Sequence, residues 1–484
     1  MAKKPRTAIT PTRDEDFAQW YQQVIKSADM AENAPVRGCM IIKPYGFALW
    51  ENMQRIFDGM IKDFGVENAY FPLLIPLSFL EKEAEHIDGF AKECAVVTHH
   101  RLEQGENGKL IPAGELEEPY VIRPTSETII GDSMARWIQS YRDLPMKLNQ
   151  WANVMRWEMR PRMFLRTSEF LWQEGHNAFE TAEEAHEDSL KMLGAYKDFA
   201  ENYLALPVIT GEKTDNERFP GAKATYTIEA MMQDGKALQA GTSHDMGQNF
   251  AKSLGIKFQA RDESEQLAHT TSWGISTRLI GGMIMIHGDD DGMIMPPRVA
   301  PSQVIIIPII RDEKDAGDIN KYINGLEQKL KSANIRFKTD NSAERTPNKM
   351  WGAIKKGVPL RVEIGAREME QGVLTYVRRD IGKDSKTTCS IDEFVGSVQD
   401  VLDNMHDDML ARAKTFLGSN IKDVDNIDDL ISYFKNDANI GFARIDISIM
   451  DDADFEARLK EHSLSTRCMP FEDNGKKVLI GKAY

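Results

Sequence analysis

Cysteine is scarce. The four present, Cys39, Cys94, Cys389 and Cys468, lie far apart and form no CxxC pair. That excludes a disulfide scaffold and a four-cysteine zinc site. Long apolar runs are also missing. Stretches such as Val304–Ile310 fall far short of the ~20 residues that span a bilayer, so no membrane association is expected. The opening Met1-Ala2-Lys3-Lys4-Pro5-Arg6 leads into no apolar segment, so no secretory signal is expected and the cytoplasm is the default compartment. Neither a Walker loop nor a GxGxxG element occurs, which argues against phosphate binding by a glycine cradle. There is no repeat of fixed period and no low-complexity segment.

What is present describes a globular chain of several domains. Its 484 residues exceed what one core usually serves, so two or three domains are expected. Apolar residues make up 42% and charged residues 28%, with a net charge of -15. That balance argues against non-specific coating of nucleic acid, though not against a local basic face. Such a face has a place: residues 301–390 carry 17 basic and 12 acidic side chains, and the segments on both sides are acidic.

Periodicity predicts an amphipathic helix over 12–34 and a clearer one over 46–64. In the second, Phe47, Trp50, Met53, Phe57, Met60 and Phe64 recur at helical spacing, and Gly65 is a plausible cap. A short strand, 69–75, stops at Pro76. From 120 to 300 the pattern predicts strands at 119–123, 147–158, 168–175, 223–232, 236–243 and 269–275. Helices are predicted at 127–141, 181–204 and 275–286. Hairpin-like connections dominate, so the expected architecture is an antiparallel sheet flanked by helices, an α+β domain. Three prolines in Met295–Pro301 mark a domain edge. Beyond it, strands at 304–310, 336–340, 360–364 and 373–379 alternate with helices at 313–332, 346–356 and 391–417, an α/β domain with a mixed sheet. Residues 418–484 make a third, small α+β piece with helices near 425–436 and 451–462 and short strands at 441–448, 466–470 and 476–480.

One cluster carries chemistry. Arg123-Pro124-Thr125-Ser126-Glu127-Thr128 ends a strand and opens a helix, and Arg156-Trp157-Glu158 ends a second strand. An arginine-rich loop (Arg160, Arg162, Arg166) leads to a third strand, on which a period of two puts Phe170, Trp172, Glu174 and His176 on one face. Buried strand faces rarely combine a carboxylate and an imidazole without a reason.

These segments resemble the class II aminoacyl-tRNA synthetases. Helix 46–64 with the strand ending at Pro76 resembles motif 1 (about 46–76). Arg156-Trp157-Glu158 with Phe164–Phe170 resembles motif 2 (about 147–176), and Gly274-Ile275-Ser276-Thr277-Arg278-Leu279-Ile280-Gly281 resembles motif 3 (about 274–286). Within the class, Arg123–Thr128, Phe170–His176 and Gly241-Thr242-Ser243-His244 resemble the prolyl-tRNA synthetases, in their archaeal- and eukaryote-like form, which has a C-terminal domain and ends in tyrosine, as Tyr484 does here. The resemblance implies a class II catalytic domain at 1–298, an anticodon-binding domain at 302–400 and a C-terminal domain at 405–484. It implies activation of L-proline with Mg-ATP, transfer to tRNA(Pro) and a homodimer.

Activation joins two anions, a carboxylate and the α-phosphate of ATP, so charge neutralisation and positioning carry the catalysis. The resemblance implies that Arg156 and Arg278 are the catalytic residues. Arg156 holds the α-phosphate and the proline carboxylate together with a guanidinium fork. By the same resemblance Glu158 would receive the adenine amino group, Phe170 and Arg278 would sandwich the ring, and Arg166, Thr167 and Ser276 would complete the ATP site. Gln239 and Thr242 stand at positions that in the family serve nucleotide and magnesium. Both are weak metal ligands, but the ion is held mostly by phosphates and water. Thr125 and Glu127 accept from the proline ammonium, while Trp172, Glu174, His176 and His244 line the pocket. The 120 residues between Glu158 and Arg278 are accounted for by predicted strands and helices, so no inserted editing domain is expected.

In the basic segment, Arg345–Trp351 and Gly357–Gly365 resemble the family's anticodon-binding domain, but Gly352 stands where a glutamate is usual, which puts one anticodon contact in doubt. In the C-terminal segment, Ser448 and Ala453 stand where the first pair of zinc cysteines would be, and Cys468 alone holds no metal. No zinc is expected. The acidic run 451–454 reads as a helix N-terminus. Two alternatives stay open: a threonyl or seryl type of class II enzyme, the threonyl type needing zinc ligands that the pocket strands lack, and a synthetase-like protein that binds tRNA or regulates without aminoacylation.

Overall fold

The computed structural model describes residues 7–81, 93–436 and 438–484, so the N-terminal basic residues discussed above lie outside it. The chain opens on helix α1 (Phe17–Ser27), shorter at both ends than the 12–34 expected. Asp16 caps it by accepting from the Gln19 N–H, and Asp29, with φ of 59°, ends it in the left-handed region. Helix α2 (Pro44–Lys62) matches the 46–64 prediction, but its buried stripe is Leu49, Trp50, Met53, Phe57 and Ile61, and Phe47 is exposed. Gly65 follows with φ of 77°, a turn that favours glycine.

Next come β1 (Glu67–Asn68), β2 (Leu74–Pro76), β3 (Val96–Gln104) and β4 (Leu110–Ile122). The strand expected over 69–75 is reduced to its last residues. The β3–β4 hairpin was not predicted beyond residues 119–123. Its signal was there, in Asn107-Gly108 at the turn, with Gly108 at φ of 68°. Helix α3 (Glu127–Trp137) leads to β5 (Met146–Met155), β6 (Glu169–Phe179), α4 (Ala182–Leu204), β7 (Ile209–Glu212), β8 (Ala224–Met231), β9 (Ala237–Gly247), β10 (His269–Ser276) and α5 (Arg278–His287). A capping box at Thr181 and Glu184 starts α4.

A second unit contains β11 (Val304–Ile309), α6 (Ala316–Ser332), β12 (Phe337–Thr339), α7 (Thr346–Lys355), β13 (Leu360–Gly365), β14 (Val373–Arg378), β15 (Thr387–Ser390) and α8 (Ile391–Ser419). Its sheet, in the order β12-β11-β13-β14-β15, is mixed, as expected. The last part has β16 (Ile421–Asp423), α9 (Ile427–Lys435), β17 (Phe442–Asp446), α10 (Phe455–Glu461), β18 (Ser465–Pro470) and β19 (Lys477–Gly481). Leu430, Phe455, Leu459, Val478 and Ile480 form its own small core. The acidic run does precede a helix, α10. Among the described residues no group of three or more His, Cys, Asp or Glu is placed to hold a metal ion.

The sheet joins the first and last parts. Eleven strands run in the order β16-β17-β19-β18-β7-β8-β9-β10-β6-β5-β1, antiparallel except for the two outermost pairs. The C-terminal strands therefore continue the sheet of the first part, with Met469 and Pro470 of β18 paired to Glu212 and Gly211 of β7. Glycine at 211 permits this, because a Cβ there would lie 2.4 Å from the Met469 carbonyl oxygen. Behind the sheet α2 packs on α4 and on β5 through aromatic rings: Phe57 stacks on Tyr196 of α4 at 5.3 Å and Trp50 meets Trp151 of β5 edge-on. Burying one such ring contributes roughly 1.5–3 kcal/mol.

Close packing also constrains β6. Gly175 lies opposite Trp273 of β10, and a Cβ at Gly175 would sit 2.1 Å from the indole. The rigid, buried ring has no room to move. Gly175→Ala is expected to lower stability by about 1–3 kcal/mol, read as a fall in the thermal midpoint.

Candidate active site

The adjacent strands β5, β6, β10, β9 and β8 form the floor of the site. The period of two on β6 delivers what it implied: Phe170, Trp172, Glu174 and His176 all line cavities on one face of the sheet. Opposite them, Gly274 faces Glu174 and Ser272 faces His176. On β9 simple alternation fails. Gln239, Thr242 and His244 line the same cavity although 239 and 242 have opposite parity. A β-bulge resolves this. Glu229 pairs with Gln239 but Ile228 with Gly241, so Ala240 is an extra residue and the strand shifts phase around it.

Two cavities result, each of about 270 Å³. Thr125, Glu127, Arg156, Trp172, Glu174, His176, Gln239, Thr242 and His244 line the first. Arg156, Glu158, Arg166, Thr167, Phe170, Ser276 and Arg278 line the second. Every residue predicted for the site thus reaches one of them, and Arg156 reaches both. Gln239 and Thr242, expected with the nucleotide, line the first cavity, but the Arg278 guanidinium donates to the Gln239 carbonyl at 3.4 Å, so that end of β9 adjoins the second.

The first cavity is rigidly built around Glu174. Its carboxylate accepts from the Ser126 hydroxyl (2.5 Å), the Ser126 N–H (3.1 Å) and Gln150 Nε2 (2.6 Å), and meets His176 Nε2 at 3.1 Å. Glu174 therefore holds the Thr125-Ser126 turn in place as well as lining the pocket. Burial pushes its pKa up, but bonds from His176, Ser126 and Gln150 outweigh this and hold it below the usual range. Burial also opposes charge on His176, yet Glu174 and the Glu127 charge raise its pKa. His244 goes the other way. Burial, reinforced by the His176 charge, pushes it down to about 3, so it is neutral, with Nδ1 3.0 Å from the Thr225 hydroxyl. In the same cavity the Thr125 hydroxyl donates to Glu127. The cavity thus combines the carboxylates of Glu127 and Glu174, the Thr125 hydroxyl, two imidazoles and an indole.

Arg156 Nε donates to the Pro124 carbonyl at 2.8 Å, and the guanidinium sits over the rings of Phe170 and Trp172 at 5.7 and 5.4 Å. Burial lowers its pKa, opposed by the charges of Glu127 and Glu174. Arg278 donates from Nε to the Leu165 carbonyl at 3.1 Å. Burial, then the neighbouring charges of Arg166 and Arg156, push it down to about 10, still cationic at neutral pH. Three mutually repelling guanidinium groups around one cavity favour a polyanion, which relieves the repulsion.

Sequence reasoning missed the segment between β7 and β8 and the start of β8. Lys213, Arg218 and Phe219 of that segment and Thr225 of β8 line the first cavity, and the Phe219 ring lies 4.6 Å from the His244 ring. The run Lys213–Gly221 is charged and aperiodic with a Pro-Gly pair, so pattern alone marks it only as a loop.

Comparison with known proteins accords with this geometry. A family model for the tRNA synthetase class II core domain (G, H, P, S and T) matches residues 111–287, and one for an anticodon binding domain matches 303–401. A proline–tRNA ligase from Bdellovibrio bacteriovorus is 55% identical over 98% of this chain and 97% of its own length. The chain belongs to the proline–tRNA ligases. Members from Paramagnetospirillum magneticum (52% identical, over 100% of this chain and 98% of the relative) and Anaeromyxobacter dehalogenans (54%, over 96% and 94%) are similar throughout. These proline–tRNA ligases are bacterial, and they bear on the family rather than on the archaeal- and eukaryote-like form. The core domain match precedes the anticodon binding domain match, and in the latter Trp351 is exposed beside Arg361, Arg378, Arg379 and Lys383 around a cavity of about 360 Å³.

Proposed function

We propose that this chain activates L-proline with Mg-ATP to prolyl-adenylate and pyrophosphate and then transfers proline to the terminal ribose of tRNA(Pro). The observation that carries the reading is the place of Arg156 between the two cavities. The proline carboxylate would approach from the first and the ATP α-phosphate from the second, and one guanidinium would neutralise both as the new bond forms. In the first cavity Glu127 and Thr125 accept from the secondary ammonium, and Trp172 offers an apolar wall to the ring, with His176 and neutral His244 closing the far side. In the second, Phe170 and Arg278 stack the adenine, Glu158 accepts from its amino group, and Arg166, Thr167 and Ser276 surround the phosphates. Gln239 and Thr242 supply neutral oxygens toward the magnesium that ATP brings. No side-chain nucleophile takes part.

The same reading makes the enzyme a cytoplasmic homodimer that pairs through motif 1, with the basic face of residues 302–400 meeting the anticodon. Among the described residues no helix is long and apolar enough to cross a membrane. It also assigns the chain to the form that has a C-terminal domain and no inserted domain, since α4 and β7–β9, with a short helix and hairpin after them, occupy the stretch between β6 and β10.

The test is amino-acid-dependent ATP–pyrophosphate exchange without tRNA, comparing proline, threonine, alanine and cysteine. Exchange led by proline is expected. Exchange led by threonine, or none from folded protein, overturns the reading. Alanine lacks two ring methylenes and is expected to exchange with a kcat/KM about 10²–10⁴-fold below proline, because an apolar pocket discriminates by about 1–3 kcal/mol for each missing methylene.

A further inference from the structure

The cross-strand partners of Gln239 and Thr242 on β9 are themselves charged or polar. Thr227 pairs with Thr242 and Glu229 with Gln239, so the Glu229 side chain emerges beside Gln239 on the face that carries the site. Glu229 is fully buried and holds two cations. Lys213 Nζ donates to Oε1 at 2.8 Å, and the Thr227 hydroxyl donates to the same oxygen at 2.9 Å. Arg467 donates twice to Oε2, from Nε at 3.1 Å and Nη2 at 2.9 Å.

Arg467 comes from the C-terminal segment, 238 residues away in sequence. It is the extra residue of a bulge: Thr466 pairs with Ile480 and Cys468 with Leu479, which leaves Arg467 unpaired and redirected. The two bulges, at Ala240 and Arg467, aim Gln239 and Arg467 at the same carboxylate region. A structural ion pair needs one cation for one carboxylate. Here there are two, so the cluster carries a net positive charge, and Lys213 also lines the cavity shared with Gln239 and Thr242. This is the end of the cavity that adjoins Arg278, which feels the charges of both Glu229 and Arg467.

We propose that Arg467 is a positioning residue for the nucleotide: it holds the second oxygen of Glu229, which leaves the Lys213 charge available to the phosphates and fixes the Gln239–Thr242 end of β9. The C-terminal segment thereby completes the phosphate side of the site. Without Arg467, the freed oxygen of a buried Glu229 claims Lys213 more fully, and the local positive charge is neutralised. The proline end, around Glu127 and His176, lies further along the strands and is unaffected.

This rests on the function proposed above, and two readouts keep the ideas separable. Wild-type pyrophosphate exchange tests the function, and calorimetric binding of Mg-ATP alone tests Arg467. In the full-length chain, Arg467→Met is expected to raise both the KM for ATP in exchange and the calorimetric Kd by about tenfold, with the proline KM within about twofold. Arg467→Lys keeps the charge and loses the fork, so it is expected to fall between. Thr466→Val removes the neighbouring hydrogen bond between Thr214 and Thr466 (2.9 Å) without changing charge, and is expected to leave the ratio of the two KM values at the wild-type level. Equal shifts in both KM values, no shift beside a lowered melting temperature, or the same ATP-selective loss in Thr466→Val would reduce Arg467 to domain docking and overturn the proposal. If Arg467→Met does not fold, Arg467→Lys decides: a wild-type ATP-to-proline ratio in that folded variant also overturns it.

Discussion

Arg156→Lys lowers kcat for proline-dependent ATP–pyrophosphate exchange by about 10²–10³-fold, the usual consequence of removing one preorganised donor from a developing charge. Lysine keeps the positive charge but not the planar fork, and only the fork can hold a carboxylate and a phosphate together. The guanidinium is also located by contacts that an ammonium cannot copy in full: Nε on the Pro124 carbonyl at 2.8 Å, and the faces of Phe170 and Trp172 on the same side chain. The loss should fall mainly on kcat, because the charge that Arg156 neutralises is greatest as the carboxylate meets phosphorus. Steady-state exchange kinetics on folded Arg156→Lys provide the check. A kcat within threefold of wild type, about 0.7 kcal/mol in barrier, would remove Arg156 from the reaction centre.

Acidification is expected to unfold the protein well before its carboxylates titrate. Burial holds three histidines far below their ordinary pKa: His244 at about 3, and His287 and His406 at about 4. His287 and His406 each place Nε2 near a carbonyl of α4, Leu204 at 3.0 Å and Glu201 at 3.1 Å. The unfolded chain binds protons on these residues from about pH 6.5 downward while the folded chain does not. The unfolded state thus holds more protons, and stability falls as pH falls. The loss begins near pH 6.5 and continues through the folded values of about 4 and 3. Each histidine contributes about 1.4 kcal/mol per pH unit in that window, together about 4 kcal/mol per unit. His176 is shifted upward, so its contribution is intact below about pH 6.5 and is lost as pH rises from there through its folded pKa. Glu174 and Glu229, shifted downward, add to the loss only below the usual carboxylate range. Denaturant midpoints at about pH 7, 6 and 5 should drop steeply. A flat series would show that these imidazoles are not kept neutral.

Much of the site was legible because strand geometry is local. Phe170, Trp172, Glu174 and His176 needed only a period of two, and Arg156, Glu158 and Arg278 lie in contiguous words. The β3–β4 hairpin had a readable Asn-Gly turn, whereas the boundaries of α1 depended on Asp16 and Asp29 adopting particular backbone angles. The Lys213–Gly221 loop had no period to read, although Phe219 and Lys213 turn into the cavity.

By itself, then, the sequence determined the order of the motifs, the single face of β6, the antiparallel core and the separate mixed sheet. Each of these follows from the chemistry of neighbouring residues and their spacing. Tertiary structure alone decided that Gln239 and Thr242 share a face, that the C-terminal strands extend the catalytic sheet, and that Arg467 reaches Glu229. A bulge exists only relative to a paired strand, and residues 229 and 467 meet only after every strand between them has found its register. No local pattern records pairing over such distances, because its free energy comes from burial and hydrogen bonds made when the sheet closes.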